Sequence, residues 1–138
     1  MNGVLIAIFV VILLVSVALL AVITASNKKR SGLDPAYYKK QWLLIEGYYK
    51  SGNAGLQLAI FEADKLLDHA LKGRGFNGET MGDRLKSARG AFMSNDAVWG
   101  AHKLRNRLAH EQNVQVSRIS ADQALRGFKG GLKDLGAL

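Results

Sequence analysis

Within six residues, Arg105-Asn106-Arg107-Leu108-Ala109-His110, the chain places an arginine, an amide and a histidine. A guanidinium grips a phosphate through paired N–H groups. An imidazole takes up or releases a proton near neutral pH. Together these residue types suit holding a phosphate and moving a proton beside it.

The stretch reads as a helix from about Asp96 to Gln112, capped by Ser94 or Asn95. At 100° per residue, Ala97, Ala101, Leu104 and Leu108 form the core face. His102, Asn106 and His110 recur at i, i+4 and i+8 on the flank away from it, with Lys103 and Arg107 beyond. Arg105 and His110, five residues apart, project about 140° from each other. One helix alone does not converge them on one atom, but a second copy packed about a two-fold axis could supply the missing half. By residue type, Arg105, Asn106 and His110 are the candidate catalytic residues, and His102, Lys103 and Arg107 the candidate substrate-binding ones. The plainer reading of His102 is a partly exposed polar side chain. The structural alternative for the motif pairs Arg105 with a carboxylate such as Asp64, Asp68 or Glu111. In it Asn106 and His110 simply hydrogen-bond across a helix contact.

Arg105-Asn106-x-Leu108-Ala109-His110 resembles the signature of the HEPN superfamily, small α-helical bundles whose motif is an arginine, a polar residue and then a histidine. The resemblance covers roughly residues 35–138, with its specific match confined to the six-residue motif. It implies a dimeric, metal-independent endoribonuclease, or a member that has lost activity and serves in binding or assembly. In the active form the ribose 2′-OH attacks the adjacent phosphate, leaving a 2′,3′-cyclic phosphate and a 5′-hydroxyl. His110 would be the general acid or base, Arg105 would neutralise the phosphate oxygens, and Asn106 would orient the histidine or the phosphate. One subgroup of the superfamily carries a tyrosine two residues after the histidine. Gln112 stands there in this chain, so that subgroup's tyrosine-modification switch is not expected.

The run Val4 to Ala25 contains no charge. Its 22 residues would span about 33 Å as a helix, matching a bilayer core of ~30 Å. Lys28-Lys29-Arg30 follows at once, as a stop-transfer anchor requires, and nothing basic precedes the run but the terminal amine. A single-pass, uncleaved anchor in the cell's cytoplasmic (inner) membrane is expected. Its N-terminus would lie outside and the following domain in the cytoplasm. The absence of cysteine agrees with a reducing compartment. The net charge is +8, and three of those charges belong to the juxtamembrane cluster. The remaining basic excess suits RNA or a membrane surface, and composition does not choose between them.

About a hundred residues remain for one small domain. Asp34 caps a helix that starts at Pro35 and ends near Lys50, with Tyr38, Trp42, Ile45 and Tyr49 on one stripe. A core helix follows from about Ala54 to Leu71, with Leu56, Ile60, Ala63, Leu67 and Ala70 at helical spacing. Thr80-x-x-Asp83 opens a shorter helix to about Phe92, and Ser120-x-x-Gln123 caps a last one to about Leu135. Val114-Gln115-Val116 is an extended connector. Gly127, Gly130 and Gly131 weaken the last helix and suggest close approach of a neighbour, within the chain or at a dimer interface.

The sum is an all-α protein. An anchor at 1–27 and a basic linker at 28–34 precede a four- to five-helix bundle at 35–138 that dimerises. Gly73-x-Gly75-x-x-Gly78 follows a helix rather than a strand, so it lacks dinucleotide-binding context. With three histidines, no cysteine and no HExxH string, no metal site and no small-molecule cofactor is expected. The functional expectation is a membrane-tethered module that binds or cleaves RNA. Its alternative is a catalytically silent interaction or scaffold domain at the membrane.

Overall fold

A computed structural model describes residues 2–29 and 32–138. Arg30 lies outside them, as do the side chains of Lys28 and Lys29, so the basic cluster is known from sequence alone. The chain divides into two compact units, residues 1–32 and 33–138.

The first unit is one helix, α1 (Asn2–Lys29). Its Gly3–Val22 segment is long and apolar enough to cross a membrane, and its side chains are exposed throughout. A helix satisfies every backbone polar group within itself, which lipid demands. The Ser16 hydroxyl also stays inside the helix, donating to the Ile12 carbonyl at 2.8 Å.

The second unit is a bundle of α2 (Pro35–Lys50), α3 (Asn53–Gly73), α4 (Met81–Ser87), α5 (Asn95–His110) and α6 (Arg118–Asp134), with a 3₁₀ turn at Arg89–Ala91. Among the described residues there is no strand, and Val114 to Val116 is an irregular connector. Pro35 opens α2 as expected, where the Asp34 carboxylate accepts from the Ala36 N–H at 3.0 Å. At the start of α4, Thr80 and Asp83 cap each other's backbone N–H groups reciprocally. Ser94, rather than Asn95, caps α5.

Two expected boundaries shift. The third bundle helix stops at Ser87 instead of running to Phe92. The 3₁₀ turn and an extended Phe92 carry the phenyl ring into the core, where it is buried. The last helix begins at Arg118, capped by Ser117 and not Ser120. The Ser117 hydroxyl accepts from the Ser120 N–H at 3.1 Å, so Ser120 already lies in the first turn.

α3 is the frame, since it packs against α2, α4, α5 and α6. Leu56, Ile60, Leu67 and Leu71 on α3 meet Tyr38 of α2, Leu85 of α4, Val98 of α5, and Phe128 and Leu132 of α6 in one core. The close approach expected near the glycines of α6 occurs within the chain, against α5. A Cβ at Gly127 would stand 2.5 Å from the Ala97 carbonyl oxygen, whereas one at Gly130 meets nothing within 4 Å.

These two glycines should answer substitution with opposite signs. Gly127→Ala should destabilise the bundle by about 1–3 kcal/mol through overpacking. Gly130→Ala should leave it unchanged or stabilise it by up to about 1 kcal/mol, the helix-propensity gain. Denaturant unfolding of both variants, followed by circular dichroism, checks the pair; equal effects would place the α5–α6 approach elsewhere.

Candidate functional site

α3 carries one acid within its buried stripe. Asp64 is 4% exposed, one turn after Ile60 and beside Ala63 and Leu67. A carboxylate in such a place needs partners, because burying an unpaired charge costs several kcal/mol. α5 supplies them. His102 Nδ1 lies 2.7 Å from Asp64 Oδ1, and Arg105 Nε lies 3.2 Å from Oδ2. The first contact is a hydrogen bond. The second is an ion pair only, since the Arg105 Nε–H does not point along a hydrogen bond.

Asn106 closes the ring. Its Nδ2 is 3.1 Å from His102 Nε2, one helical turn back, and its Oδ1 accepts from Arg105 Nη1 at 3.1 Å. These contacts assign the orientations. Arg105 has only donors, so it must face the amide oxygen of Asn106. The amide nitrogen then faces His102 Nε2, which accepts, leaving the ring proton on Nδ1 for Asp64. The Phe61 ring lies beneath the guanidinium, 5.4 Å from its centroid, and the Trp99 indole meets His102 edge-on at 6.0 Å.

The ring forms one wall of a cavity of about 930 Å³ between α3, α4 and α5. His110 and Lys103, both exposed, also border it. Arg105, Asn106 and His110 therefore open onto one space in a single copy of the chain. Arg107 does not: it is exposed, lies outside this cavity and pairs with Glu111 at 3.5 Å. His102 corrects the sequence reading, which set it on a partly exposed flank. It is 7% exposed with both ring nitrogens engaged, because the buried face of α5 runs through Val98, Ala101, His102 and Leu108. Ala97, expected in the core, is exposed.

The cavity's other wall is built on Arg84, whose role leaves no motif in the sequence. It is buried, donates to both oxygens of Asp68 at 2.7 and 3.0 Å, and donates to the Gly78 carbonyl at 2.7 Å. Of the three carboxylates considered for Arg105, Asp64 takes it, Asp68 goes to Arg84 and Glu111 to Arg107. Burial pushes the Asp68 carboxyl upward, but the hydrogen bonds and charges of Arg84 and Lys72 outweigh that and hold it below the usual range. Among the described residues, no three histidines or carboxylates converge to hold a metal ion.

Two measurements test these walls. A double-mutant cycle on Asp64→Ala and His102→Ala should return a coupling of about 1–3 kcal/mol in unfolding free energy. Additive losses would mean the pair is not one unit. At the other wall, a lowered carboxyl stabilises the fold above the ordinary aspartate pKa near 4, and that gain disappears as pH falls through the lowered value. Asp68→Asn should therefore weaken the bundle at neutral pH and flatten its loss of stability below about pH 4. Parallel acid slopes in parent and variant would count against the Asp68–Arg84 pairing.

No protein-family model, curated protein or solved structure matches the chain.

Proposed function

We propose that this protein is a membrane-tethered RNA-acting module of HEPN-like character, cleaving RNA without a metal ion through Arg105, Asn106 and His110. The observation that carries the reading is their placement. All three border one cavity, with Arg105 and Asn106 held by the buried Asp64–His102 pair and His110 exposed beside them. Preorganised donors facing a developing charge are the main resource of such sites. Arg105 would bind the non-bridging phosphate oxygens. The ribose 2′-oxygen would form the new bond to phosphorus as the 5′-oxygen leaves. His110 would take the 2′-OH proton, and His110 of a second copy would protonate the leaving oxygen. Each copy offers one such histidine, so this division favours a dimer. α1 would cross the membrane once, and the lysines and arginine that follow it favour a cytoplasmic bundle.

A second reading is favoured by the same ring. Asn106 and His102 spend their polar atoms on each other and on Arg105 and Asp64, as a purely structural network would. In that case the bundle is a catalytically silent interaction module.

Incubating the full chain in detergent with mixed RNA and EDTA separates the two. Cleavage should leave 2′,3′-cyclic phosphate ends. His110→Ala should lower the rate by about 10²–10⁴-fold, the usual worth of an acid–base group. Its melting temperature should stay at the parent value, since His110 is exposed. A folded parent that leaves RNA intact would select the silent module.

A further inference from the structure

α2 buries Tyr38, Trp42 and Ile45 against the bundle. Its outer face carries Tyr37, Leu43 and Leu44 together with Lys39, Lys40 and Lys50, all exposed. At 100° per residue these six fall within an arc of about 160° opposite the buried stripe. The two leucines are 67% and 48% exposed. The one acid of α2, Glu46, is turned to the flank, where the Lys129 ammonium (3.2 Å) and the Trp42 indole (2.8 Å) hold it.

Aliphatic and aromatic side chains flanked by lysines, with no acid among them, are the composition of a helix that lies in a membrane interface. The charge is complementary to anionic headgroups and opposes pairing with a second copy of the same face. The leucines offer bases no stacking surface, and the one aromatic of the face, Tyr37, already packs against Tyr38 and His69, which disfavours single-stranded RNA as the occupant. Chain connectivity points the same way. Only residues 23–34 separate the apolar segment from α2, so an inserted α1 tethers α2 to the same membrane.

We infer that the outer face of α2 docks on the anionic lipid surface of the membrane in which α1 is inserted. The docking restricts the bundle's orientation and is independent of whether the bundle cleaves RNA. It does depend on α1 being an anchor.

The chain has no cysteine, so one label position can be introduced cleanly. Gly47→Cys lies on the outer face of α2, where a side chain meets nothing within 4 Å. Ile119→Cys, at a position 75% exposed on α6, serves as the reference. The full chain carrying an environment-sensitive dye at either site is reconstituted into phosphatidylcholine vesicles with or without phosphatidylglycerol. Resistance to carbonate extraction reports the anchor separately. At position 47, quenching by a lipid-borne spin label should appear in the anionic vesicles and fade in high salt, while position 119 should stay open to aqueous acrylamide. Lys39→Glu with Lys40→Glu should reduce the lipid-seated fraction on the order of tenfold. Three outcomes overturn the inference: position 47 open to acrylamide in anionic vesicles, shielded from both quenchers as a second copy would shield it, or protected only when RNA is added. Extraction by carbonate would remove the anchor reading and the docking with it.

Discussion

A carboxylate in the middle of an apolar helix face constrains everything near it. Asp64 sits on α3, the helix that every other bundle helix touches. An uncompensated charge there would cost several kcal/mol, comparable to the whole stability of a small domain. The fold answers with an imidazole and a guanidinium from a single helix three residues apart, His102 and Arg105. That spacing is close to one turn, so both reach one carboxylate from one face. The partners of Asp64 thereby set the rotation of α5 about its axis. That rotation brings Asn106 and His110 to the cavity as well, and turns Arg107 away.

The translation of α5 has a different origin. Gly127 lets the α6 backbone approach the Ala97 carbonyl, and Gly131 sits against Val98, Leu67 and Phe92. Side chains at these positions would wedge α6 away from α5 and α3. The two glycines weaken α6 as an isolated helix but permit the close packing that seats α5 on α3. Local propensity is given up for tertiary contact, and the beneficiary is the position of the motif helix.

What could be read from sequence follows the range of the interaction involved. The start of α2 at Pro35, the stripe of α3 and the Thr80–Asp83 capping box all rest on contacts within four residues, and the chain writes these out directly. The end of α4 is not written locally, because it depends on Phe92 reaching a core built by distant segments. At α6, Ser120-x-x-Gln123 carries the capping pattern, but Ser117 holds the extended backbone that a cap requires. His102 departs furthest from its sequence expectation. A helical wheel drawn through alanines and leucines puts a histidine outside. A histidine with a carboxylate partner 38 residues away belongs inside. The available clue lies in α3, where Asp64 interrupts the buried stripe and so demands hydrogen-bond donors from elsewhere. Arg84 leaves no comparable trace, because its partners Asp68 and Gly78 lie on a half-buried flank and in a loop.

The closed ring and a phosphate-binding role are physically compatible. A guanidinium has five N–H donors in a fixed fork. Here Nη1 serves Asn106 and Nε rests against Asp64, which leaves the Nη2 edge of a side chain that is one-third exposed at the cavity wall. Fixing the inner edge of the fork lowers the conformational entropy lost when the outer edge meets an anion. The pairing with Asp64 also has a cost for anion binding, since it offsets part of the positive charge that a phosphate would feel. Lys103, exposed at the same cavity, is placed to restore it. In the proposed phosphate-binding role, the buried half of the network would act as a mount and the exposed half as the working surface. His110, the last residue of α5, stands where the helix ends and the chain turns away.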